Sequence, residues 1–253
     1  MTDRPLNAMT VDVEDYFQVQ SFAGCVPRDR WDAFPARVAD NTNRVLDQFA
    51  GAGIRATFFT LGWVARRQPA LIRRIVAEGH ELASHGWDHT RADAQDPAGF
   101  EADVSRTRAL LEDLGGVAVR GYRAATFSIG PRNPWAFAVL AAAGYAYSSS
   151  VNPIRHDLYG NPHAPRVPYR PDASGLWEIP MTTLRAAGRN LPCSGGGYFR
   201  LMPYSCFRFA LRRVNQAEAG FPPGAGDARL VGIDLPRVEI EDAGARFRLV
   251  HPA

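Results

Sequence analysis

The sequence predicts an α/β fold of parallel strands alternating with helices, and three observations predict it. Strand-like and helix-like runs follow one another along the chain, and such alternation implies parallel strands joined by right-handed crossovers. Polar residues suited to chemistry recur where the strands end, which is where barrels and open α/β sheets place their sites. A length of 253 residues suits an α/β barrel folded as one unit.

Residues 8–13 form the first strand, and a helix over 37–50 follows, closed by Gly51 and Gly53. Residues 55–61, Arg-Ala-Thr-Phe-Phe-Thr-Leu, have the β-branched and aromatic content of a buried strand. Gln68-Pro69 opens a helix, since proline is tolerated in a first turn whose N–H groups have no helical partner. Leu71, Ile72, Ile75 and Val76 share one face of it, and Gly79 ends it. Residues 80–85 read as a short strand that delivers His85 at its C-terminal end, with His80 orienting a turn. Asp96-Pro97 caps and starts a helix whose apolar face is Phe100, Val104, Leu111 and Leu114, stopped by Gly115-Gly116. A strand over 117–122 ends at Arg123. A helix over 135–143 follows Asn133-Pro134 and stops at Gly144. Strands at 145–150 and 176–182 and a helix at 204–215 complete the series. The Pro/Gly-rich segment 152–175 reads as a long ordered loop over the site, and 221–227 as a flexible connection. No internal repeat or low-complexity linker divides the chain, so one domain is expected over 1–253.

Composition removes several classes of function. All 29 basic side chains are arginine, with no lysine anywhere. Schiff-base chemistry, covalently held pyridoxal phosphate and a P-loop lysine are thereby excluded. Cys25, Cys193 and Cys206 are too few and too scattered for a disulfide framework or a metal knuckle, and are expected to be small buried residues. The net charge of +3 comes with acids interspersed among bases, so no nucleic-acid partner is expected. No window approaches the roughly 18–20 apolar residues of a membrane span. The first residues lack the charged start and apolar stretch of a signal peptide, and a cytoplasmic location is expected.

The chemistry concentrates in two segments: Thr10-Val-Asp12-Val-Glu14-Asp15-Tyr-Phe17 and Ser84-His85-Gly-Trp87-Asp-His89. Two histidines four apart, joined by an acid from another strand, make a three-ligand site for a divalent metal and leave the open position that catalysis needs. A spare carboxylate beside the ligands can take a proton from water. Taken singly these residues have plainer readings. An aspartate at a strand end is usually a turn or cap residue, and His-x-x-x-His arises by chance. The joint pattern is what counts: acids end the first strand, histidines follow the third, and Gly121-Tyr122-Arg123 ends the fourth. An arginine brought to a carboxylate by a strand end would orient it and keep it ionised.

These residues resemble the polysaccharide deacetylase superfamily, the NodB-homology domains of carbohydrate esterase family 4, in the branch found beside exosortase-linked exopolysaccharide loci. The likeness rests on the two segments above, on Arg55-Ala-Thr-Phe-Phe-Thr-Leu-Gly-Trp63 and on Gly121-Tyr-Arg-Ala-Ala-Thr-Phe-Ser-Ile129. Tyr147-Ser-Ser-Ser150 and Gly195-Gly-Gly-Tyr-Phe-Arg200 extend it. It covers about residues 8–215. The resemblance implies a distorted, incomplete (β/α) barrel, with Asp12 as catalytic base, Arg123 bracing it, and His85 and His89 as the metal-binding pair. The metal carboxylate falls at Asp15 or Glu14, and Asp15 is the preferred ligand. The cofactor implied is a divalent metal, Zn²⁺ by resemblance. The substrate implied is an N-acetylhexosamine-containing exopolysaccharide or oligosaccharide, with Trp87, Tyr159 and Tyr198 as candidate sugar platforms.

Two departures stand out. Ala125 replaces the family's proline two residues after the arginine, and 216–253 is an atypical C-terminal segment. Leu249-Val-His251 within it fits the element that supplies the family's histidine acid. Two rival readings remain: a small-molecule amidohydrolase on the same fold, and a catalytically impaired carbohydrate-binding homologue.

Overall fold

Alternation of side chains along six short strands organises the molecule. The structure, a computed structural model, describes residues 8–217, 237–241 and 246–250. Strands β1 (Thr10–Val13), β2 (Thr57–Thr60), β3 (Glu81–Ser84), β4 (Gly121–Tyr122), β5 (Tyr147–Ser148) and β6 (Trp177–Glu178) pair in parallel and in chain order. Register aligns Thr10, Thr57 and Glu81 in one row across β1, β2 and β3, and Asp12, Phe59 and Ala83 in another. Successive side chains point to opposite faces. One face therefore presents Thr10, Asp12, Phe59, Glu81 and Tyr147, and the other Val13, Phe58, Leu82 and Tyr122.

The second face packs on helices. α1 (Val38–Ala52), α2 (Gly62–Arg67) and α3 (Pro69–Ala77) cover Val13 and Phe58 with Leu46, Val64, Leu71 and Ile75. α4 (Pro97–Gly115) and α5 (Trp135–Ala142) cover Leu82 and Tyr122 with Phe100, Val104, Leu111 and Leu140. The first face curls into an interior where Phe59, Ala83, Tyr147 and Trp177 meet. Arg123, just past β4, reaches Thr10 and Asp12 on β1. Three strand spacings on a flat sheet would be about 14 Å, beyond what these side chains span, so the sheet is bent into an open barrel. β1 and β6 stand at its two edges. At Gly121 a Cβ would collide with the Tyr147 hydroxyl, and the missing side chain is what admits the tyrosine ring. The Tyr147 and Thr57 hydroxyls donate to Glu81, and burial raises that carboxyl above the ordinary glutamate value.

The expected order of elements holds over the described residues, with differences of extent. The strands expected at 117–122, 145–150 and 176–182 pair over only two residues each. Helix α2 and a hairpin, β7 (Thr183–Ala186) with β8 (Arg189–Pro192), were not expected. The hairpin turn has Ala187 and Gly188 both at positive φ, 47° and 74°, the conformation whose twist matches paired strands. Next come α6 (Gly196–Leu201), α7 (Tyr204–Ala217) and the antiparallel strands β9 (Arg237–Glu241) and β10 (Arg246–Val250). The connection expected at 221–227 and the acid expected at His251 lie outside the described residues. Among the described residues no helix is long and apolar enough to cross a membrane.

Candidate active site

Three strand ends converge at one mouth of the barrel. Asp12 lies on β1, His85 follows β3, and Arg123 follows β4. Arg123 is buried, and its guanidinium donates four hydrogen bonds. Nη1 donates to Asp12 Oδ1 at 2.7 Å and Thr10 Oγ1 at 3.0 Å. Nε donates to the Ser149 carbonyl and Nη2 to Ser149 Oγ. The plane also packs on the Phe59 ring at 4.1 Å. Burial pushes the Asp12 carboxyl up, but the charge and hydrogen bond of Arg123, with the nearby His85 and His89, outweigh it. Its pKa lies below the ordinary aspartate value. Asp12 is thus ionised at neutral pH, with Oδ1 held by the arginine.

Beside it, ligand atoms of Glu14, His85 and His89 all lie within 4.8 Å of one another. Glu14 Oε2 is 3.0 Å from His89 Nε2 and 3.9 Å from His85 Nε2, yet it is a buried oxygen without a hydrogen bond. Metal–ligand bonds of about 2.0–2.2 Å suit donors spaced this way. Nδ1 of His85 lies 2.8 Å from the Arg123 carbonyl. A proton on Nδ1 shared with that carbonyl leaves Nε2 with its lone pair for a cation. Arg123 thus holds both the Asp12 carboxylate, through its side chain, and the His85 ring, through its carbonyl. An orphaned carboxylate oxygen and two imidazoles form a donor set that fits a zinc-type divalent ion.

The 85–89 turn is pinned from several sides. Gly86 and His89 adopt left-handed φ of 77° and 58°, and such a conformation at a histidine persists only where its surroundings enforce it. They do. The Asp103 carboxylate on α4 accepts the Trp87 N–H at 2.7 Å, and the Gly86 and Trp87 carbonyls accept the Gly62 and Trp63 N–H groups. Arg28 Nε donates to the Asp88 carbonyl. Burial, partly offset by the Trp87 N–H, pushes the Asp103 carboxyl up to about 6.

Asp15 does not join the donor set. Its Oδ2 accepts the Arg37 and Val38 N–H groups at 2.7 and 3.0 Å, and Oδ1 accepts the Tyr16 N–H. It caps the start of α1, so the carboxylate facing the histidines is Glu14, and the preference for Asp15 is corrected. Trp87 also proves different from a sugar platform. Its ring packs on the Gly62 backbone, where a Cβ would come within 2.5 Å, and the Arg106 guanidinium covers it at 3.9 Å. Tyr159 and Tyr198 come together through their hydroxyls. The Tyr159 ring stacks on His156 at 3.9 Å and lies 5.6 Å from Phe127, which in turn is near Arg123. Burial and Tyr198 push the Tyr159 hydroxyl up to about 12. Sequence reasoning missed Ser149 and Asp103. A serine run at a strand's C-terminal end was a usable signal for the first, whereas an aspartate within an amphipathic helix gave none for the second.

A family model described as "Polysaccharide deacetylase" matches residues 30–148, and one described as "Domain of unknown function (DUF3473)" matches 149–222. The two stretches share one sheet, because β6 pairs with β5, and Ser149 of the second holds Arg123 of the first. A chitooligosaccharide deacetylase of Bradyrhizobium sp. (strain ANU 289) is 35% identical over 112 residues, covering 44% of this chain and 48% of the relative. The peptidoglycan-N-acetylglucosamine deacetylase PgdA of Listeria monocytogenes is 33% identical over 75 residues, covering 30% of this chain and 16% of that protein. The chain thus spans about half the length, or less, of these curated relatives. A solved structure from Mycobacterium smegmatis, described as a candidate polysaccharide deacetylase, superposes with a TM-score of 0.55. It is 19% identical and covers 92% of this chain and 93% of that one. That likeness establishes the α/β fold.

Proposed function

We propose that this chain, which carries a polysaccharide deacetylase domain, removes N-acetyl groups from an N-acetylhexosamine-containing polysaccharide with the help of a divalent metal. The observation that carries the reading is the Asp12–Arg123 pair at 2.7 Å beside the Glu14–His85–His89 cluster. Glu14, His85 and His89 would hold the cation, Zn²⁺ being the ion such donors suit. When bound, the ion would supply Lewis acidity that makes water a better nucleophile and polarises an acetamide carbonyl.

The rest is the work of the chain. Asp12, ionised and steadied through Oδ1, presents Oδ2 to take the proton of the attacking water. The Arg123 guanidinium charge, hydrogen-bonded to Oδ1, holds Asp12 ionised until it takes that proton. Phe59 and Arg123, both buried and packed on one another, shield the side of the base that Arg123 holds. The leaving amine needs a proton, because an amine anion is a very poor leaving group, and we assign that step to His251. Tyr159 and Tyr198 would line the sugar groove.

The decisive measurement is acetate release from N-acetylglucosamine oligomers by the purified chain, before and after chelation and after zinc is restored. Release that stops with chelator and returns with metal is the expected result. His85→Ala should lose stoichiometric zinc and activity together. Acetate release indifferent to chelation would defeat the assignment.

A further inference from the structure

We propose that the surface built by the β7–β8 hairpin, α6 and α7 docks on an anionic lipid bilayer. Residues 179–217 contain six arginines and no aspartate or glutamate, in a chain that has 26 acidic residues. Arg185, Arg189, Arg208 and Arg213 are exposed. Among them stand Leu191, Phe199, Leu201, Tyr204 and Phe209, five of the nine exposed large apolar side chains among the described residues. Leu201 is 82% exposed and Phe209 61%. A groove of about 360 Å³ between the hairpin and α7 continues the apolar surface, with Leu184, Leu191, Met202 and Phe209 in its walls.

An apolar patch of this kind is unusual on a freely soluble surface and marks a site of contact. What contacts it follows from the charge. Phosphate headgroups pair with arginine while the acyl boundary accepts leucine and phenylalanine, so a bilayer satisfies both halves of the patch at once. A second copy docked face to face would set arginine against arginine with no acid within 179–217 of either copy to pair them. An acidic water-soluble partner would account for the arginines and leave Leu201 without a role. Each basic residue near an anionic surface strengthens partitioning roughly fivefold, and the attraction fades within a Debye length. Anchoring of this sort is reversible and depends on salt.

The test is flotation of the full chain with vesicles of phosphatidylcholine alone and of phosphatidylcholine mixed with phosphatidylglycerol. Binding is expected to the mixed vesicles, to be weak on the neutral ones, and to be lost in about 1 M salt, where the Debye length is near 3 Å. The double variant Leu201→Asp, Phe209→Asp should lower partitioning at least roughly tenfold. Its near-ultraviolet circular dichroism should match the parent, since both side chains are exposed. Arg208→Gln, Arg213→Gln should weaken binding to the mixed vesicles only. Failure of the parent chain to float with anionic vesicles would overturn the proposal, as would undiminished binding by the Asp variant. A concentration-dependent dimer dispersed by the same two substitutions would overturn it too, in favour of a second copy.

Discussion

Glu14 and Asp15 are neighbours with opposite duties, and the backbone decides which does what. Side chains alternate along an extended segment, so only one of the two can look into the barrel mouth. Glu14 does, ending on a buried oxygen without a hydrogen bond. Asp15 turns back to three backbone N–H groups around the entry of α1. Glu14→Gln should therefore lower zinc affinity by tenfold or more, as loss of a charged ligand does, and leave thermal stability near the parent's. Asp15→Ala should keep zinc at one per chain and lose on the order of 2 kcal/mol of stability, because buried donors are left without an acceptor. Titration calorimetry with zinc and urea unfolding separate the two. If Asp15→Ala lost the metal and Glu14→Gln kept it, the assignment of the pair would be reversed. Asp12, two residues before Glu14 and on β1, tests the chemistry itself. Asp12→Asn keeps the shape and one oxygen for Arg123 but cannot take a proton, so acetate release should fall by about 10²–10⁴ with zinc retained.

At the scale of elements, the barrel interior depends on a glycine. Gly121 on β4 leaves the volume that the Tyr147 ring of β5 occupies, and Tyr147 in turn donates to buried Glu81 on β3. Gly121→Ala should displace the ring, break that hydrogen bond, and cost about 1–3 kcal/mol, the usual range for overpacking. Urea unfolding measures it, and an unchanged midpoint would mean the interior is looser than this packing. The elements whose signals are local were legible in the sequence. α4 announces itself by the Asp96 cap on the Gly99 N–H, by Pro97 and by Gly116 in the left-handed conformation. α2 was not, because its first residue is a glycine whose purpose is to let Trp87 pack from another segment. The strands at 117–122 and 145–150 were read too long, since ladder pairing is confined to Gly121–Tyr122 and Tyr147–Ser148. The site followed the same division. Asp12, His85, His89 and Arg123 could be read from strand ends, whereas choosing Glu14 over Asp15 required knowing where α1 begins. Trp87 shows the converse: an aromatic between two candidate ligands invites a functional reading, and only the positions of Gly62 and Arg106 reveal packing.

For the whole molecule, buried acids couple the turn that carries the histidines to the stability of the fold. Asp103 holds the Trp87 N–H from α4 while its own ionisation is opposed by burial, which pushes its pKa from 3.8 to about 6. Between those values the unfolded chain has already released the proton and the native chain has not, so stability falls as pH rises through the window. The loss is on the order of 2–3 kcal/mol and is complete above the folded pKa. Glu81 and Glu178, also raised by burial, act in the same sense. His80 and His85, lowered chiefly by burial, act oppositely, withdrawing stability as pH falls below 6.5. The overall pH profile therefore mixes both signs, and the informative quantity is a difference between two proteins. Asp103→Asn retains an oxygen for the Trp87 N–H and cannot ionise. With metal removed from both, the variant and its parent should unfold at nearly the same urea concentration at pH 4. The variant should become the more stable by about 2 kcal/mol at pH 8, the gap opening between pH 4 and 6. A gap that stayed constant across that range would mean the Asp103 carboxyl titrates normally. It would then be ionised in the native turn and hold Trp87 as a full charge, at no expense to the fold.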